Sequence, residues 1–125
     1  MNYREPLPEG CPPPESAEIT AERVVFRLVR TSPPTDADFR SHRLENPGRV
    51  YQGLSECQVC GLSVFSEPHA CAMALKLPTQ RGKQVCRLTL TAGAGRIQQT
   101  GKPAHHTWWP FAAFDILAHC TMEAA

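Results

Sequence analysis

The apolar positions of this chain fall in short runs separated by proline, glycine and charge, and none keeps a helical period beyond about two turns. Val24-Val25-Phe26-Arg27-Leu28-Val29-Arg30 predicts a strand, being β-branched and too short for a helix, and Thr31-Ser32-Pro33-Pro34 ends it. Thr35 with Asp38 three residues on has the form of a helix start, so a helix is predicted over 36–44, stopping before Asn46-Pro47-Gly48. A loop with Tyr51 and Gly53 follows, then a short helical turn around 55–59. Gly61-Leu62-Ser63-Val64-Phe65 reads as a second core strand. Ser66-Glu67-Pro68 then starts another helix, with Ser66 as cap and Pro68 in the first turn. Ala70, Met73, Ala74 and Leu77 keep helical spacing until Pro78 stops it. Residues 85–91 predict a third strand, with Cys86, Leu88 and Leu90 on one face and Arg87 and Thr89 on the other. Ala92-Gly93-Ala94-Gly95 is a turn, 96–100 a short strand and 114–118 a last strand. Strands outnumber helices, so the pattern predicts a small α+β domain with two short helices.

Composition adds boundaries. Five of the twelve prolines lie in the first eighteen residues, among several Glu, so 1–18 is expected to be a Pro-rich flexible tail and 19–125 the single domain. A length of 125 residues suffices for a hydrophobic core, and 42% hydrophobic with 20% charged residues is ordinary for a globular protein. A net charge of +1 and scattered basic residues give no nucleic-acid footprint. No apolar stretch approaches the roughly 20 residues of a membrane span. The N-terminus lacks the order of a signal peptide, so a cytoplasmic protein is expected.

With secretion not indicated, the six cysteines are read as reduced. Cys86 and Cys120 lie in apolar segments and behave as small hydrophobes, while Cys11 is placed in the exposed tail. Cys57-x2-Cys60 and His69-x-Cys71 form two pairs of soft ligands, the ingredients of a structural zinc site. A core strand separates the pairs, however. His69 and Cys71 would also sit about 200° apart around a helix. Zinc is therefore the lesser cofactor reading, and no metal ligands are assigned.

The densest functional-looking patch is His105-His106-Thr107-Trp108-Trp109-Pro110, with two of the five His and both Trp. Two large rings beside a titratable pair suit stacking on a planar ligand and proton transfer. Alternatively, the Trp pair fills the core and the His pair caps a turn. Walker, Rossmann, HExxH and nucleophile-elbow motifs are absent from the sequence. Arg27 remains, its strand neighbours Phe26 and Leu28 pointing to the opposite face, as a rim residue or an anion clamp. Ser63 lies within the second strand.

A strand bearing Phe26-Arg27, followed by Gly61-Leu62-Ser63-Val64-Phe65 leading into a helix, resembles the small ADP-ribosyltransferase-like domains. The resemblance covers about residues 24–120 in order of elements and rests on short motifs. It implies a fold of mostly antiparallel, split sheets holding NAD in a cleft. It also implies that Arg27 binds the phosphates or ribose and Ser63 supports the nicotinamide. For the late acidic residue of the family, Asp115 and Glu123 are both candidates. Trp108 or Trp109 would stack on the nicotinamide or adenine, and His105 or His106 would bond a ribose hydroxyl or take a proton. The expected partner is thus a nucleotide-type small molecule. The chemistry would be transfer of ADP-ribose to a macromolecular acceptor, as in a toxin or defence enzyme, or cleavage of NAD. Two alternatives stay open: a non-catalytic ligand- or peptide-binding module built on the His-His-Thr-Trp-Trp patch, and a zinc-stabilised interaction protein.

Overall fold

In the computed structural model, which describes residues 2–123, the alternating runs pair into one seven-stranded antiparallel sheet. In chain order its elements are β1 (Ala17–Glu18), β2 (Arg23–Val29), α1 (His42–Glu45), α2 (Glu56–Val59), β3 (Leu62–Phe65), α3 (Pro68–Ala74), β4 (Gln84–Leu90), β5 (Gly95–Gln99), β6 (His105–Pro110) and β7 (Cys120–Met122). Across the sheet the strands run β1-β5-β6-β3-β2-β4-β7. With three short α-helices, this is the expected α+β class. Among the described residues, no helix is long and apolar enough to cross a membrane.

Pairing is uneven across the sheet. β2 and β4 match over seven residues from Arg23↔Leu90 to Val29↔Gln84, and β3 pairs with β6 over Leu62↔Trp108 to Phe65↔His105. Between them, β2 and β3 share the single bridge Phe26↔Phe65. The sheet is thus two well-laddered halves, β1-β5-β6-β3 and β2-β4-β7, joined at a narrow seam. The core lies on the face carrying Val25, Val29, Leu62, Val64, Cys86, Leu88, Leu90, Ile97 and Trp108, and Phe39, Phe114 and Ile116 pack into it.

The first eighteen residues do not trail as a free tail. Tyr3 bridges Phe111, the Arg4 N–H donates to the Pro110 carbonyl at 2.9 Å, and Arg4 pairs with Asp36. The Glu5 carboxylate accepts from both the Ser41 N–H and its hydroxyl. Cys11, expected to be a free exposed thiol, forms a disulfide with Cys57. The Arg96 guanidinium holds Ser16, and β1 pairs with β5. Proline prevents this segment from forming regular structure, but polar contacts and one covalent bond fix it as a strap across the domain.

Three local expectations change. The helix over 36–44 is two pieces, a 3-10 turn at Asp36–Asp38 and α1, because Phe39 turns into the core with no exposed surface and Ser41 starts a new cap. In α3, Glu67 rather than Ser66 takes the capping position. The strand expected at 114–118 is a turn: Phe114 and Ile116 are buried as their alternation suggests, but Asp115 accepts the Ala118 N–H and closes a 3-10 turn, so strand pairing begins only at Cys120.

Candidate functional site

Arg27 sits at the seam. Its register partner is Cys86, which puts it on the core face with Val25 and Val29, whereas the sequence pattern suggested the opposite face. The chain tolerates a guanidinium there because main-chain carbonyls surround it. Nε–H donates to Asp38 O at 3.0 Å, one terminal nitrogen to Ser63 O at 2.8 Å and the other to Arg40 O at 3.4 Å. The guanidinium carbon lies over the face of the Phe39 ring, 5.8 Å from its centroid. Arg27 thus ties β2 to β3 where the strand ladder is interrupted. Three of its five N–H groups are engaged in these bonds. No carboxylate among the described residues pairs with it. Burial lowers its pKa while Cys86 and Asp38 oppose the shift, and an arginine in this setting keeps its charge.

Beside the seam opens a cavity of about 270 Å³ walled by Arg27, Leu28, Arg40, His42, Ser63, Phe65, Lys83 and His105 among others. Among the described residues, no Asp or Glu lines it. A side recess of about 70 Å³ shares Arg27, Arg40, His42 and Lys83 and adds Arg30, Asp38 and Glu45. Both acids there are occupied. The Asp38 carboxylate accepts from the Arg30 N–H, the Thr31 hydroxyl and the Thr35 N–H, and Glu45 pairs with Arg30 at 3.1 Å. Burial works to raise the Asp38 pKa, but these hydrogen bonds outweigh it and hold the carboxyl low. Arg40 and Lys83 have no salt-bridge partner among the described residues.

The crowding of positive charge shows in the titratable groups. His42 is lowered by burial and then by Arg27, Lys83, Arg49 and His105. Lys83 is lowered by burial and by Arg30 and Arg27, against weaker pulls from Glu45 and Asp38. His105 is oriented: its Nδ1 lies 2.9 Å from the Thr100 carbonyl, an acceptor only, so Nδ1 carries the hydrogen and Nε2 is the free nitrogen. The Phe65 ring meets the imidazole edge-on at 5.3 Å. Positive charge concentrated in a recessed site raises the local concentration of anions.

Of the residues singled out from sequence, Arg27, Ser63 and His105 come together on this cavity. The others do not. His106 pairs with Val64 on the core-bearing face, and burial depresses its pKa. Trp108 has no exposed surface; its Nε1–H donates to Ala94 O at 3.1 Å, and its ring meets Phe114 edge-on. Trp109 is 1% exposed and donates to Cys57 O at 2.9 Å. Stacking of either Trp on a ligand is therefore corrected: both rings are packing groups. A Cβ on Gly61 would lie 2.3 Å from Thr107 Cγ2 and 3.0 Å from the Trp109 indole nitrogen, so that contact requires glycine. Asp115 is exposed and caps the 3-10 turn. Glu123 borders a separate groove with Pro68, His69, Ala72, Leu75 and Val85, which Lys83 also borders.

Arg40, His42 and Lys83 escaped the sequence reading. The usable signal was Arg40-Ser41-His42-Arg43, three basic side chains in four positions after a proline-rich turn. The Cys57-Cys60-His69-Cys71 zinc reading fails on Cys57, whose sulfur is bonded to Cys11. No three His, Cys, Asp or Glu among the described residues are grouped to hold a metal. Burial pushes the Cys60 thiol to about 11 and Cys71 and Cys86 to about 12, which leaves them protonated and poorly nucleophilic at neutral pH. The chain matches no protein-family model, no curated protein and no solved structure with which it was compared.

Proposed function

We propose that this domain binds a phosphate-bearing small molecule of the nucleotide class in the seam cavity. One observation carries the reading: Arg27, Arg40 and Lys83 converge with two imidazoles on a cavity that no Asp or Glu among the described residues lines. Uncompensated cations repel one another in the free protein, and an anion that enters relieves the repulsion. NAD is the ligand that the ADP-ribosyltransferase-like resemblance implies. The placement of Arg27 and Ser63 on opposite sides of a sheet split supports it. Transfer of ADP-ribose, or cleavage of NAD, has less support, because Asp115 and Glu123 both lie off the cavity. The site favours holding a ligand over activating an acceptor. The Cys11–Cys57 disulfide further supports an oxidising compartment over the cytoplasm.

Calorimetric titration with NAD and with pyrophosphate tests the site, comparing wild type with K83Q. Saturable binding weakened about tenfold or more in K83Q, with thermal stability not lowered, is the expected result. Absence of heat with both anions at millimolar concentration would remove the reading.

A further inference from the structure

We propose that the seam cavity recognises a terminal phosphomonoester, as on ribose 5-phosphate or a nucleoside monophosphate, in preference to the internal pyrophosphate of a dinucleotide. This inference rests on the phosphate-binding reading of the same cavity. Size is the first argument. Cavities that enclose drug-sized ligands run about 300–1,000 Å³. This one, at about 270 Å³, suits one end of a nucleotide rather than the middle of a dinucleotide. Charge is the second. A phosphomonoester carries about −1.5 to −2 near neutral pH and offers three acceptor oxygens, whereas each internal phosphate carries about one charge and is bonded on both sides. Three cations and two imidazoles around one small cavity match a compact dianion. The third argument is the fixity of Arg27. Its three carbonyl bonds hold the guanidinium in one orientation at the seam, and the two N–H groups left over suit an anion presented end-on. Leu28 and Phe65 supply apolar wall for the sugar that follows the phosphate.

The decisive experiment is a calorimetric series on the wild-type chain with ribose 5-phosphate, AMP, NAD, inorganic phosphate and unphosphorylated ribose, repeated on R40Q and K83Q. The proposal predicts saturable binding of ribose 5-phosphate and AMP about tenfold or more tighter than NAD, none for ribose, and loss in both variants. Inorganic phosphate binding as tightly as ribose 5-phosphate would assign the site to the free anion and overturn the ester. NAD binding in a K83-dependent manner, equal to or tighter than AMP, would also overturn it while leaving the broader phosphate-site reading intact. Silence from every phosphate-bearing probe would remove both readings. R40Q and K83Q are chosen because neither residue donates a hydrogen bond that holds the fold, and circular dichroism verifies that each variant is folded.

Discussion

Strand β6 and the β2–β3 seam invert what their sequences suggest. β6 concentrates aromatic and imidazole residues, the types most often found in binding sites, yet Thr107, Trp108, Trp109 and Pro110 are buried and only His105 reaches the cavity. Around the seam the residues are commonplace, an arginine in a strand and a lysine in a loop. There, however, the backbone ladder is interrupted and positive charge gathers on a cavity that no acid among the described residues lines. The difference is one of satisfaction. Each indole N–H on β6 has a carbonyl partner, so nothing remains to offer a ligand. At the seam the Arg27 hydrogen bonds go to neutral carbonyls, which leave its charge unmatched.

If the Trp residues are packing groups, substitutions at Trp108 and Trp109 should act on stability alone. Trp108→Ala should cost about 3–5 kcal/mol in urea-induced unfolding, as large-to-small changes of buried aromatics do. Trp109→Phe should lower stability while leaving any calorimetric affinity for pyrophosphate unchanged, and a matching loss of affinity would break the contrast. The strap comes next in size. Cys11 and Cys57 are 46 residues apart, and replacing both by Ser should cost about 3–4 kcal/mol by loop entropy, read as a lowered melting temperature that reductant reproduces in wild type.

Arg27→Lys separates charge from geometry. Lysine keeps the positive charge but cannot reach three divergent carbonyls with a planar fork. Stability should fall by about 1–3 kcal/mol from unsatisfied buried carbonyls, and anion affinity should weaken with it. An unchanged melting temperature would show that the tie across the seam is dispensable.

The smallest effect is the pH response. His42 faces Arg27, Lys83, Arg49 and His105, lines the cavity with Arg40 and meets the Tyr51 ring at a tilt, and its folded pKa lies below the ordinary value near 6.5. Between the two values the unfolded chain binds more protons than the folded one, so stability is full above the unfolded pKa and declines as pH falls below it. His106, also lowered, contributes in the same direction. Thermal melts from pH 7.5 to 5 should show the decline, and His42→Gln should flatten it in part. Added phosphate should oppose it, since an anion in the cavity favours the protonated imidazole.

Much of the sheet was legible from local pattern. Alternation at Cys86, Leu88 and Leu90 gave the face as well as the strand, and the short helical turn after Ser55 was visible from its position. The core strand β6 was harder, because His105 and His106 flank the same alternation with polar rings and a period of two over six residues looks like a patch. Phe114 and Ile116 misled in the other direction, since burial at alternate positions also occurs in a capped turn. At the site, Arg27 and Ser63 were visible individually, whereas their proximity depends on strand order, which no local pattern encodes. Arg40 and His42 enter from the β2–β3 connection and Lys83 from the loop before β4, and only tertiary structure assembles them.

The seam has a consequence for how the molecule moves and what it can exchange. Where one side chain stands in for a run of backbone bridges, continuity of the sheet depends on a replaceable part. Amides bordering β2 and β3 should trade hydrogen with solvent sooner than those paired between β2 and β4, and a pull across the sheet should separate it there first. A ligand gripping Arg27 from the open side would act as a second rivet, coupling occupancy of the cavity to the rigidity of both halves.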